Sequence, residues 1–112
     1  MKKITCIIRP AKFEVVKDRL GREGVKGMTV THVIGCGHQQ GKTAQYRGNL
    51  YSVDLLPKVK IEMVVADDRV EEILSLIIEE AKTGEMGDGK IFISPVEDAI
   101  RIRTGERGPA AL

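Results

Sequence analysis

The stretch KVKIEMVV (Lys58–Val65), followed after Ala66 by DDRVEEILSLIIEEA (Asp67–Ala81), decides the fold. Val59, Ile61, Met63 and Val65 alternate with Lys58, Lys60 and Glu62, the period of a strand with one apolar face. The period then changes. Val70, Ile73, Leu74, Ile77, Ile78 and Ala81 recur at i, i+3 and i+4 spacing, which predicts an amphipathic helix capped by Asp67 or Asp68. Lys82-Thr83-Gly84 ends that helix, and Lys90–Ser94 supplies a strand up to Pro95.

Upstream, the same two periods appear once more. Lys3–Arg9 is a short β-rich run closed by Pro10. From Ala11 to Glu23, Phe13, Val16 and Leu20 fall at helical spacing, and Gly21 and Gly24 mark the exit. Met28–Cys36, rich in Thr and Val, is a second strand. The order is βαββαβ, an α+β fold of the ferredoxin-like, split βαβ type. Both helices then cover one face of the sheet. The other face carries Ile7, Val64 and Phe92 together with Lys60 and Glu62, a mixed surface that predicts self-association or a partner protein.

The 112 residues are one domain's worth, long enough to bury a core without disulfides. With 18 Lys plus Arg against 16 Asp plus Glu, interspersed, the chain lacks the basic surface of a nucleic-acid binder. No apolar run approaches a membrane span, and Met1–Pro10 has neither the apolar length nor the cleavage site of a signal peptide. Cys6 and Cys36 form no CxxC pair and read as reduced thiols. The expected compartment is the cytoplasm.

Between Gly37 and Pro57 lie about twenty residues without sustained periodicity, more than a compact domain keeps idle. They include Gln39, Gln40, Lys42, Tyr46, Arg47 and Tyr51, and tyrosine with arginine on a loop suits partner contact. A second cluster, TGEMGDGKI (Thr83–Ile91), has the spacing GxxxxGK but is not a P-loop. Ile91 stands where a Mg²⁺-binding hydroxyl is needed, and the order is helix, loop, strand. What remains is an anion site: Gly87 and Gly89 let backbone N–H groups turn toward an oxyanion, and Lys90 adds a point charge. Arg101-Ile102-Arg103, read as extended, puts two guanidiniums about 6–7 Å apart on one side, able to fork onto phosphate.

His32, Cys36 and His38 share strand parity, but His32 and Cys36 would lie roughly 13 Å apart, too far to share one metal. No third group orients a Cys–His pair for nucleophilic catalysis. Glu71, Glu72, Glu79 and Glu80 are explained by solvation opposite the apolar stripe. No catalytic constellation emerges.

The residues resemble the PII nitrogen-regulatory signal-transduction proteins over essentially the whole chain. The resemblance runs from MKKITCIIRP through GMTVTHVIGCG, YRGNLY, PKVKIEMVV and TGEMGDGKIF to RIRTGERG. It implies a single regulatory domain over 1–112, assembled as a homotrimer, with a T-loop at 37–57, a nucleotide-binding loop at 82–90 and a C-terminal segment at 97–112. ATP or ADP would bind between subunits. Gly87, Asp88, Gly89 and Lys90 would lie around the phosphates with Arg101 and Arg103, and Thr29, Gly35, Gly37 and Val64 around base and sugar. With MgATP bound, Gln39 would join the Mg²⁺ shell and 2-oxoglutarate would complete it. Lys58 would pair with the far carboxylate of that acid, with Arg9 nearby. An oxygen-rich shell of this kind is what Mg²⁺ prefers.

The resemblance further implies a non-catalytic regulator of nitrogen metabolism. Its T-loop would dock on an ammonium channel, glutamine synthetase or a transcription factor, or on nitrogenase in one branch. Asn49 and Leu50 depart from the family's loop signature. Asn49 has no hydroxyl to phosphorylate, while Tyr51, the position nucleotidylylated in other branches, is the candidate modification site. Two readings from other classes are a small phosphoanhydride hydrolase, which lacks a base and nucleophile, and an RNA-binding module, for which only Phe92 is a strand aromatic.

Overall fold

The computed structural model describes residues 1–37, 44–46, 49–51 and 54–112. Among these residues eight helices and strands follow in order: β1 (Lys2–Ile8), α1 (Phe13–Arg22), β2 (Thr29–Gly37), β3 (Ala44–Tyr46), β4 (Asn49–Tyr51), β5 (Asp54–Val65), α2 (Val70–Ala81) and β6 (Gly89–Pro95). Four strands form an antiparallel sheet in the order β2-β5-β1-β6, and β3 pairs with β4 separately. The main sheet and two helices give the ferredoxin-like βαββαβ arrangement.

Register explains the alternation. Ile4, Cys6 and Ile8 stand opposite Met63, Ile61 and Val59, and all six are essentially inaccessible to water. Val16 and Leu20 of α1 and Ile73, Leu76 and Ile77 of α2 close over them. Full burial of each such aliphatic side chain contributes about 1.5–3 kcal/mol, the main force fixing helices to sheet. The opposite face carries Thr5, Ile7, Lys60, Glu62, Val64 and Phe92, with Glu62 held between Lys60 (3.2 Å) and Lys3 (3.5 Å). Phe92 is 55% exposed there, as the alternation requires.

Several local readings are corrected. Pro10–Lys12 form a 3₁₀ turn, so α1 proper begins at Phe13, and Gly21 lies inside it; Gly24, at φ +85°, makes the exit. Neither Asp67 nor Asp68 caps α2. They open a 3₁₀ turn in which Asp67 instead accepts from the amino group of Met1 at 2.9 Å. The apolar stripe of α2 is rotated: Leu76 is buried, while Ile78 is 52% exposed.

The connection after β2 is also shorter than the sequence suggested. Gly37 and Asp54–Pro57 belong to strands, with Gly37 opposite Asp54 and Ile34 opposite Pro57. Pairing of β5 with β1 stops at Val59, so β2 and β5 continue past the sheet as a two-stranded ribbon. Pro57 is tolerated because the strand has a neighbour on only one flank there.

Candidate functional site

The loop between α2 and β6 is built around one carboxylate. Asp88 Oδ2 accepts from the backbone amides of Thr83 (2.8 Å) and Gly84 (2.9 Å). Its Oδ1 accepts from the Thr83 hydroxyl and from Arg9 Nε (3.0 Å). These donors, the Thr83 hydroxyl foremost, hold the Asp88 carboxyl far below the usual carboxylate range. Gly84, Gly87 and Gly89 all take positive φ, at +92°, +98° and +107°. At Gly89 no side chain is admissible, since a Cβ would stand 1.7 Å from the Ile7 carbonyl oxygen.

Two cations reach the same loop from the sheet. Arg9, just past β1, also donates to the Met86 carbonyl at 2.8 Å. Lys58, where the ribbon leaves the sheet, donates to the Gly87 carbonyl at 2.6 Å. Partial burial and the neighbouring Arg9 charge push the Lys58 ammonium below the ordinary lysine range, against the pull of Asp88. Gly35 makes room for the lysine stem: a Cβ at 35 would come 3.2 Å from Lys58 Cγ. Lys90, opposite Ile7, is exposed and makes no ion pair among the described residues. Arg9, Gly35, Lys58, Gly87, Asp88, Gly89 and Lys90 therefore gather at one end of the sheet, with Gly37 farther along the ribbon. Glycine-turned amides, a lysine and two further cations make a setting for oxyanions.

Four expected residues lie elsewhere. Val64 pairs with Lys3 near the start of β1, and Thr29 pairs with Glu62, which stands opposite Thr5 at the middle of β1. The chain leaves β6 at Pro95 opposite Lys2, and Val96 N–H donates to the Met1 carbonyl at 3.1 Å. At that end, Pro109 and Leu112 share a cavity of about 290 Å³ with Val64, Val65 and Gly24–Gly27. Lys2 and Ile8 are roughly 20 Å apart along an extended strand. The segment carrying Arg101 and Arg103 thus starts at the opposite end from Gly87–Lys90.

That segment is not extended. Ile100 bridges to Arg107, and Gly105 N–H donates to the Arg101 carbonyl at 2.7 Å, so residues 101–105 turn back. The extended backbone expected to set the two guanidiniums on one side is therefore replaced by a turn. Arg101 is committed to Glu106 (2.9 Å) and the Leu112 carbonyl (3.2 Å), whereas Arg103 is exposed.

Gln39 and His38 lie outside the described residues, as do 40–43, 47–48 and 52–53 of the span expected to form the T-loop; Tyr51 falls in β4. Three features escaped the sequence reading. Thr83 is the principal partner of Asp88, a role that its position five residues upstream could have suggested. Lys58 contacts a carbonyl of the glycine loop. A cavity of about 300 Å³ opens between α2 and β6, lined by Ile8, Ile77, Ile78, Ala81 and Ile91 beside Asp88–Lys90, which is why Ile78 is left uncovered. Among the described residues no three His, Cys, Asp or Glu side chains converge on a metal position, and no helix is long and apolar enough to cross a membrane.

The sequence is similar to one family of known proteins. A family profile described as "Nitrogen regulatory protein P-II" matches residues 1–106. Proteins named nitrogen regulatory protein P-II from Cereibacter sphaeroides and Porphyra purpurea are 57% and 55% identical over all 112 residues, covering both chains completely. "Nitrogen regulatory protein P-II 2" of Methanothermobacter thermautotrophicus is 54% identical over the whole of this chain and 97% of its own length.

Proposed function

We infer the function from one premise: this chain belongs to the nitrogen regulatory protein P-II family, and so is a signal-transduction regulator of nitrogen metabolism. We propose that it is a non-catalytic sensor. In this reading ATP or ADP binds through the glycine amides of 87–89 and through Lys90. 2-Oxoglutarate engages Lys58 and Arg9 beside the nucleotide, and occupancy sets the conformation of segment 37–57 toward a target protein.

What supports the reading is the convergence of Arg9 and Lys58 on the same loop that bears Gly87, Gly89 and Lys90. The two ends of the sheet supply a second argument. In this reading Arg101, Arg103, Thr29 and Val64 join that loop from another copy of the chain, placed head to tail, a contact that forms a ring when its rotation closes. A homotrimer with three intersubunit nucleotide sites satisfies this, with the mixed outer face of the sheet turned inward. The Asp88 carboxylate, already bonded on both oxygens, organises the loop instead of touching phosphate.

Mg²⁺ enters this reading only with the nucleotide. Gln39 is the chain ligand assigned to it, phosphates and the keto acid supplying the other oxygens. Tyr51 is the candidate modification site. The target is a protein of nitrogen assimilation such as an ammonium channel, glutamine synthetase, a transcription factor or nitrogenase.

Calorimetry tests the sensor. ATP binds to the purified protein, 2-oxoglutarate binds only when MgATP is present, and ATP levels stay constant over hours of incubation. Absence of nucleotide heat, or steady turnover of ATP, overturns it.

A further inference from the structure

In the sensor reading the groups of the loop at 82–90 that meet the anion are backbone amides with no side-chain freedom to adapt, so the loop has to hold its shape before an anion arrives. A carboxylate offers about four lone-pair positions. At Asp88 these meet four donors: the Thr83 hydroxyl and Arg9 Nε on one oxygen, the Thr83 and Gly84 amides on the other. Two of the four come from Thr83 alone. The same hydroxyl oxygen accepts from the Glu85 amide at 3.2 Å, so one group both closes the ring onto Asp88 and turns the chain that leads to Met86 and Gly87.

We propose that Thr83 is a positioning residue of the anion loop, whose hydroxyl links the Asp88 carboxylate to the Glu85 amide and thereby fixes the backbone on which Gly87, Gly89 and Lys90 present their donors. Its effect on nucleotide affinity rests on the sensor reading above; its effect on the loop does not.

The hydroxyl, not the methyl group, carries the role. Thr83 is exposed, so replacing it creates no core cavity and leaves folding intact. Thr83→Val keeps the shape and deletes the hydroxyl; the Glu85 amide loses its acceptor and Asp88 loses a donor. Thr83→Ser restores both. Arg9 and Lys58 remain in place in either variant, so any change reports on the ring and not on loss of a cation.

The test compares wild type, T83V and T83S by ATP calorimetry and, without nucleotide, by amide hydrogen exchange at Gly84 and Glu85, whose N–H groups donate to Asp88 and Thr83. In T83V, ATP affinity falls about tenfold, as expected for loss of a hydrogen bond to a charged group, and both amides exchange about tenfold faster. T83S stays within about twofold of wild type in both measurements, since it retains the hydroxyl. Unchanged exchange in T83V, or T83S as impaired as T83V, overturns the proposal. If wild type binds no ATP, the sensor reading fails by itself. The positioning role then stands or falls on exchange alone: acceleration in T83V reversed in T83S supports it, and equal protection in all three refutes it.

Discussion

Asp88 carries a charge that the loop consumes internally. Because its carboxyl titrates below its value in the unfolded chain, its contribution is complete above about pH 4 and is lost only as the pH falls through the lowered value. ATP affinity is therefore flat in pH across the neutral range as far as Asp88 is concerned. Asp88→Asn, which swaps an acceptor oxygen for an amide donor facing other donors, weakens ATP binding by at least about tenfold, measured by calorimetry. Lys58 has the opposite sign problem: its ammonium loses its proton below the ordinary lysine range. Carboxylate binding that depends on it persists below that pH and declines as pH rises through it, earlier than an unperturbed lysine would allow. A 2-oxoglutarate titration in MgATP at increasing pH checks this. The two thiols also separate. Burial pushes Cys6 up to about 11, while Cys36 is exposed. Iodoacetamide at pH near 8 alkylates Cys36 in the folded protein and both thiols in denaturant; equal native rates would contradict the buried assignment.

At the scale of elements, the sheet and helices were legible because their periods are set by burial. The alternation of β5 and the i, i+3, i+4 stripe of α2 are the pattern of side chains that pack on Ile4, Cys6 and Ile8. Ile73→Ala, at a position fully shielded from water, costs about 2–5 kcal/mol, read from urea or thermal unfolding. Gly89→Ala, which would drive a Cβ against the Ile7 carbonyl at a positive φ, lowers the melting temperature by more than about 5 °C. The rotation of the α2 stripe from Ile78 toward Leu76 was not legible, because it depends on which flank α1 covers. Arg19 of α1 reaches Glu80 at 2.9 Å, and the Ile78 flank is left to the cavity beside β6. The strand character of Asp54–Pro57 was hidden by Pro57, whose cost depends on a missing neighbour that only the sheet order reveals. Helix capping failed for the same kind of reason: Asp67 found the Met1 amine, distant in sequence, before it found its own helix.

For the whole molecule, the residues that the sequence assigns to anion chemistry lie at two ends of the sheet, a separation the sequence did not show. Arg101 and Arg103 read as an extended pair because nothing local betrays the Ile100–Arg107 bridge that folds them back. Under the head-to-tail assembly, Lys90→Ala and Arg103→Ala damage the same site from different copies. Each variant alone binds ATP weakly. Co-refolding equal amounts returns about a quarter of the sites to wild-type affinity, since an intact site needs each of its two sides from the other variant, each with probability one half. No recovery on mixing would mean that both residues serve one chain.

The ribbon formed by β2 and β5 leaves the sheet between Val59 and Lys58, the point at which β1 ceases to brace it. Lys58 is thus the first residue of a cantilever and also the tether to Gly87. Rotation of the described ribbon about that pivot displaces Lys58 and so bears on its hydrogen bond to the Gly87 carbonyl.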